Sequence, residues 1–157
     1  MRTAQSVADD LLKLAKRRGK MLTPMQLMKL VYISYGWFLA MHGQRLFHDR
    51  IEAWKYGPVI PSLYHVTKHF GSRAVPHTMI ADGPLSHPEI ENFLTGVVDG
   101  YGDYSGIALS NLTHRDGTPW QQVFRPNHLN IEIPDGLIQE HYQRSLDARQ
   151  SAAGAAS

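Results

Sequence analysis

The stretch TPMQLMKLVYISYGWFLAMHG, residues 23–43, constrains the fold more than any other. Thr23 suits an N-cap, because its hydroxyl can accept from a free first-turn N–H. Pro24 suits the first helical position, where a missing N–H costs nothing. The set Leu27, Leu30, Val31, Ser34, Trp37, Phe38 and Met41 recurs at three- and four-residue steps, which predicts a helix over about 24–42 ending at Gly43. Met28, Tyr32, Ile33 and Tyr35 fill much of the remaining circumference. A helix apolar all round is packed on several sides, so this one is the spine of a core. Its length nears that of a bilayer span, but Gln26, Lys29 and several tyrosines interrupt it, which argues against a membrane helix.

At 157 residues the chain is long enough for one domain with a genuine core. A net charge of +2 is too weak to demand nucleic acid as a partner. The absence of cysteine excludes a disulfide framework and any thiolate metal site, and it suits a reducing compartment. Residues 1–15 read as an amphipathic helix and not as a signal peptide, so a cytoplasmic protein is expected.

Around the spine the pattern predicts mainly α structure. A first helix covers residues 4–19, with Thr3 or Ser6 at its start. Lys16, Arg17, Arg18 and Lys20 lie at its end, where cations complement the helix dipole; the same run invites a nucleic-acid reading. After Gly43, the runs Arg45–His48 and Ile51–Lys55 around Asp49 predict a small two-stranded β-hairpin, with Tyr56-Gly57-Pro58 breaking the ladder. Further helices are expected at about 60–70, at 87–101 with Ser86 as cap, at 105–113, after Thr118-Pro119, and from Pro134 to about 148. The domain therefore spans 1–148, with six or seven helices around the central one and 149–157 as a disordered tail. Alternating βαβ units are absent, which disfavours a parallel sheet.

The chemistry is thin. His65 and His69, four apart on the third helix, could grip a metal with His48 or Asp49, but no His-Glu-x-x-His pattern accompanies them. Ser110, His114 and Asp116 hold the residue types of a nucleophilic triad without a nucleophile elbow. No Gly-rich phosphate loop follows a strand. No helix-turn-helix with a polar recognition helix is visible, and the faces His65–Lys68–His69 and Arg144–Arg149 are sparse for nucleic acid. The expectation is no enzyme, no cofactor and no metal. What remains is an interaction module. Trp37 belongs to the core, while Trp54 and Trp120 sit at element junctions, where a half-exposed indole either plugs the joint or serves a partner.

Three separated motifs carry a resemblance. The first is Leu27, Lys29 and Leu30 with Tyr35. The second is Glu52-Ala53-Trp54 with Tyr56-Gly57-Pro58-Val59 and Tyr64. The third is Leu109-Ser110 with Thr113-His114 and Pro119-Trp120. Together they resemble the SocA-like, or Panacea, antitoxin domain, a family that includes phage- and mobile-element-associated proteins of the GepA type. The likeness covers about 5–145. It implies a non-enzymatic antitoxin that binds and neutralises a cognate toxin, in the SocA type as an adaptor delivering it to a ClpXP-type protease. The alternative is a DNA-binding regulator tied to a phage or mobile element. The resemblance makes Glu52, Trp54, Tyr56, Gly57, Pro58, Tyr64, Thr113, His114 and Trp120 the motif or partner-binding candidates. Glu52 is expected to pair with Lys29 or to cap a neighbouring backbone.

Overall fold

Thr23 opens α2 (Pro24–His42) through a reciprocal cap. Its hydroxyl accepts from the Gln26 N–H, and the Gln26 side-chain oxygen accepts from the Thr23 N–H. Gly43 closes the helix at φ +65°, a left-handed geometry that glycine adopts without steric cost. Every side chain from Leu27 to Leu39 is buried, as the all-round apolar pattern predicts. Each fully buried leucine or isoleucine there contributes about 1.5–3 kcal/mol. This is a computed structural model, and it describes residues 2–156, without the side chains of 155 and 156.

Helices α1 (Ala4–Arg17), α3 (Pro61–Thr67), α4 (Glu91–Tyr101), α5 (Gly106–His114) and α7 (Asp135–Ala156) pack around α2, with α6 (Pro119–Val123) bridging α5 and α7. Strands β1 (Glu52–Trp54), β2 (Gly57–Val59) and β3 (Ile131–Glu132) form one antiparallel sheet in the order β2-β1-β3. The molecule is a mainly α single domain with seven helices among the described residues. No helix among them is long and apolar enough to cross a membrane.

The hairpin differs from the sequence reading in register. Its strands are 52–54 and 57–59, and Lys55-Tyr56 makes the turn. Gly57, expected to break the ladder, enters it at φ +117°. Pro58 is tolerated because β2 is an edge strand and needs no second ladder. Asp49, expected at the turn, instead ties elements together: its carboxylate accepts from the Ala4 N–H at 2.9 Å and the Ser62 hydroxyl at 2.5 Å.

Helix α4 also begins later than Ser86 suggests. Buried Asp10 accepts from the backbone N–H groups of Ser86 and His87 at 2.8 and 2.9 Å. That contact commits the two donors before a 3₁₀ turn at Pro88–Ile90 leads into the helix. The last helix continues past residue 148 to Ala156, across the stretch read as a disordered tail; residue 157 lies outside the described residues.

Candidate functional site

The sequence motifs meet at one junction between α2, the hairpin, α5 and α6. At its centre is Lys29, which is only 2% exposed on an otherwise apolar face. Its ammonium donates to the carbonyls of Tyr56 at 3.2 Å and Pro58 at 3.0 Å. Burial pushes its pKa down from 10.5 to about 7. Gly57 lies between the two carbonyl residues, and a Cβ there would come within 2.8 Å of the Lys29 Nζ. The glycine thus serves both the positive φ and the close approach of the amine.

The Ser110 hydroxyl donates to the same Tyr56 carbonyl at 2.7 Å. Thr113 turns back onto its own helix, donating to the Leu109 carbonyl at 2.9 Å. The His114 ring stands edge-on to Trp120, 5.2 Å between centroids. Trp120 donates its indole N–H to the Trp54 carbonyl at 2.5 Å, locking α6 to β1. Trp54 in turn donates to the Glu52 carboxylate at 3.0 Å.

Glu52 does not pair with Lys29. Its other oxygen accepts from Arg50 at 2.7 Å, and Arg50 reaches on to Glu132 at 2.6 Å. Residues 50, 52 and 54 alternate onto one face of an extended chain, which brings arginine, carboxylate and indole together. The turn carbonyls are then the acceptors within reach of Lys29.

Beside this junction runs a groove of about 360 Å³ between the start of α2, the hairpin turn and α3. Trp54 and Tyr64 form one wall as an edge-to-face pair at 4.9 Å. Tyr56 is 62% exposed, Met25 41% and Tyr64 37%. Lys55 sits over the Tyr56 ring at 5.4 Å and Lys68 over Tyr64 at 6.0 Å. No aspartate or glutamate lines the groove among the described residues. It can receive an apolar segment flanked by carboxylates. Sequence reasoning missed Met25 and Lys55 and weighed Lys68 only as part of a sparse nucleic-acid face; the role of all three depends on α3 folding back against α2.

The hydrolytic candidates are committed to structural contacts. Ser110 serves the hairpin carbonyl, with His114 Nδ1 3.3 Å from its hydroxyl and in contact with the Ser110 carbonyl oxygen. No hydrogen bond joins Asp116 to His114 among the described residues. His65 and His69 pack against Tyr64 and Phe70. No three His, Asp or Glu side chains among the described residues are placed to hold a metal ion.

Fold and site together define the class: a mainly α domain with a hairpin hydrogen-bonded onto a buried central helix. Within that class, the sequence model described as "Antitoxin SocA-like, Panacea domain" matches residues 27–121, from the spine through the start of α6, and the chain belongs to this family. It is similar to "Antitoxin SocA" of Caulobacter vibrioides (strain NA1000 / CB15N). The two are 27% identical over 154 residues, an alignment covering 89% of this chain and 82% of that protein. No solved structure matches the chain at the same level of significance.

Proposed function

We propose that the protein is a cytoplasmic, non-enzymatic antitoxin that neutralises a cognate toxin by direct contact, with the groove between the hairpin and α3 as its contact face. Membership of the family and the name of its relative support the antitoxin role. The observation that carries the face is the cluster of exposed aromatic and methionine side chains, rimmed by Lys55 and Lys68, on a rigid hydrogen-bonded base. Exposed tyrosines over desolvated pockets are the residue type that dominates binding energy at interfaces. The toxin segment is apolar with flanking carboxylates, and handing the toxin to a ClpXP-type protease is the step that follows binding.

The DNA-binding alternative draws less support. Lys16, Arg17, Arg18 and Lys20, the basic run at the end of α1, each meet a carboxylate: Asp82, Glu91, Asp99 and Asp103 at 2.7, 3.0, 3.0 and 3.4 Å. Cations so paired offer little net field to a phosphate backbone.

The test is co-expression of the tagged protein with the product of its neighbouring gene, scored by growth and by capture of the complex. Tyr56→Ala and Tyr64→Ala should each weaken the complex by roughly tenfold or more. The melting temperature of Tyr56→Ala should change little, because its ring is exposed, while Tyr64→Ala also loses the edge-to-face contact with Trp54 and should melt somewhat lower. Wild-type affinity in both variants would remove the groove from the interface, and a harmless, non-binding neighbour would remove that gene product as the toxin. A toxin half-life unchanged by deletion of the protease would separate neutralisation from delivery.

A further inference from the structure

Farther along α2, that helix, the end of α4, α5 and α7 line a second and larger cleft of about 770 Å³. It stands apart from the groove and from the toxin-binding reading. Its volume lies in the range of small-molecule pockets. Tyr32, Trp37, Tyr101, Tyr104 and Tyr142 contribute its aromatic walls, with Trp37 and Tyr142 edge-to-face at 5.4 Å.

Two hydroxyl protons at the cleft meet no acceptor among the described residues, and the Arg149 guanidinium lies over the Trp37 ring at 4.4 Å. The Tyr32 hydroxyl is buried and has no hydrogen-bond partner among the described residues. The Tyr101 hydroxyl accepts from the Trp37 indole at 3.0 Å and from Arg149 at 3.3 Å, and its own proton meets no acceptor among the described residues. Arg115 and Arg149 both line the space. Elsewhere Arg2, Arg17, Arg18, Arg45, Arg50 and Arg144 each pair with a carboxylate, while Arg73 and Arg125 donate to the backbone carbonyls of Phe70 and Phe124. Among the described residues Arg115 and Arg149 pair with none, and no aspartate or glutamate lines the cleft. His141, also in the lining, is held below its usual range by burial first and by the nearby Arg144 and Arg115 second.

We propose that this cleft binds a small ligand made of a planar aromatic ring and an anionic group, the ring against the aromatic walls and the anion on Arg115 and Arg149. Rings offer stacking and edge contacts to any π-face. The guanidinium fork matches carboxylate and phosphate geometry. The concave shape and volume of the cleft favour a small molecule over a flat protein surface. A mononucleotide and an aromatic carboxylic acid share this chemistry.

Calorimetric titration of the full chain with AMP, GMP and indole-3-acetate distinguishes the two sources, with adenosine and inorganic phosphate as half-ligand controls. At least one of the ringed anions should bind, and its half-ligands should bind at least about tenfold more weakly. The double variant Arg115→Gln, Arg149→Gln should lose at least about tenfold in affinity while its ligand-free melting temperature holds. Three results would overturn the assignment. One is that none of the three ringed anions binds at about 1 mM, where even a weak site would be half filled. Another is binding that ignores both arginines. The last is a double variant that loses the toxin complex instead, which makes the cleft part of a protein interface.

Discussion

The contacts of α2 with the hairpin and with α7 are finished differently. Toward the hairpin, the helix buries an amine and satisfies it with two carbonyls, and Ser110, Trp54 and Trp120 complete a closed hydrogen-bonded frame. Toward the middle of α7, the contacts of Tyr32, Gly36 and Trp37 are aromatic. Gly36 lets the Tyr142 ring lie against the helix, and the Tyr32 hydroxyl is the one buried side-chain polar atom left without a partner among the described residues. The frame side holds geometry and the aromatic side leaves space. A motif rich in Gly, Pro, Trp and Lys thus marks where the backbone is constrained, while a pocket of tyrosines leaves no comparable signature.

The largest test of this contrast is Gly57→Ala. It forces a side chain into φ +117° and drives a Cβ to within 2.8 Å of the Lys29 amine. Strain and a displaced buried donor together should cost about 4 kcal/mol in chemical denaturation. Gly36→Ala is the matching change at the α7 contact, where the new methyl would overlap the Tyr142 ring. Overpacking there should cost about 3 kcal/mol. If Gly57→Ala proved the milder of the two, the frame would be less rigid than its hydrogen bonds imply.

Lys29 supplies a pH test of the frame alone. Its folded pKa near 7 lies below the unfolded 10.5, so between those values the unfolded chain binds a proton that the folded chain does not. Stability then rises with pH across that window and is flat below it. From pH 7 to pH 9 the gain attributable to Lys29 should be about 2 kcal/mol. In Lys29→Met this increment should vanish from denaturation curves taken at the two pH values. A wild-type curve without the rise would mean that the carbonyls hold the ammonium charged despite its burial.

Much of this was legible in the sequence, for reasons that differ by residue. The spine was readable because Thr23, Pro24 and Gly43 punctuate it and apolar side chains surround it. The seat of the motifs was legible only as proximity. That Lys29 serves the hairpin carbonyls and not Glu52 depends on Gly57 entering a strand, and the same glycine reads equally well as a ladder breaker. The register of the hairpin was lost because Asp49 has the chemistry of a turn residue but spends it on Ala4 and Ser62, both distant in sequence. The aromatic cleft was not legible. Tyr32 and Trp37 look like core, and only the placement of α7 shows that Tyr101, Arg115 and Arg149 join them around open space.

The smallest effects give the sharpest comparison, because they come from two tyrosines one turn apart on the same helix. Tyr35 donates its hydroxyl to Asp135 at 2.6 Å, and Asp135 is further held by Arg45. Tyr35→Phe removes a hydrogen bond to a charged group and should cost about 2 kcal/mol. Tyr32→Phe removes a buried hydroxyl that pairs with nothing among the described residues and keeps the ring. In the ligand-free protein it should raise stability by about 1 kcal/mol, the desolvation penalty no longer incurred. Opposite signs for these two chemically identical substitutions, read as melting-temperature shifts, would establish that the α7 side carries an unmet polar group. A loss at both positions would mean that the Tyr32 hydroxyl finds a partner in solution, and the cleft would then be as closed as the frame.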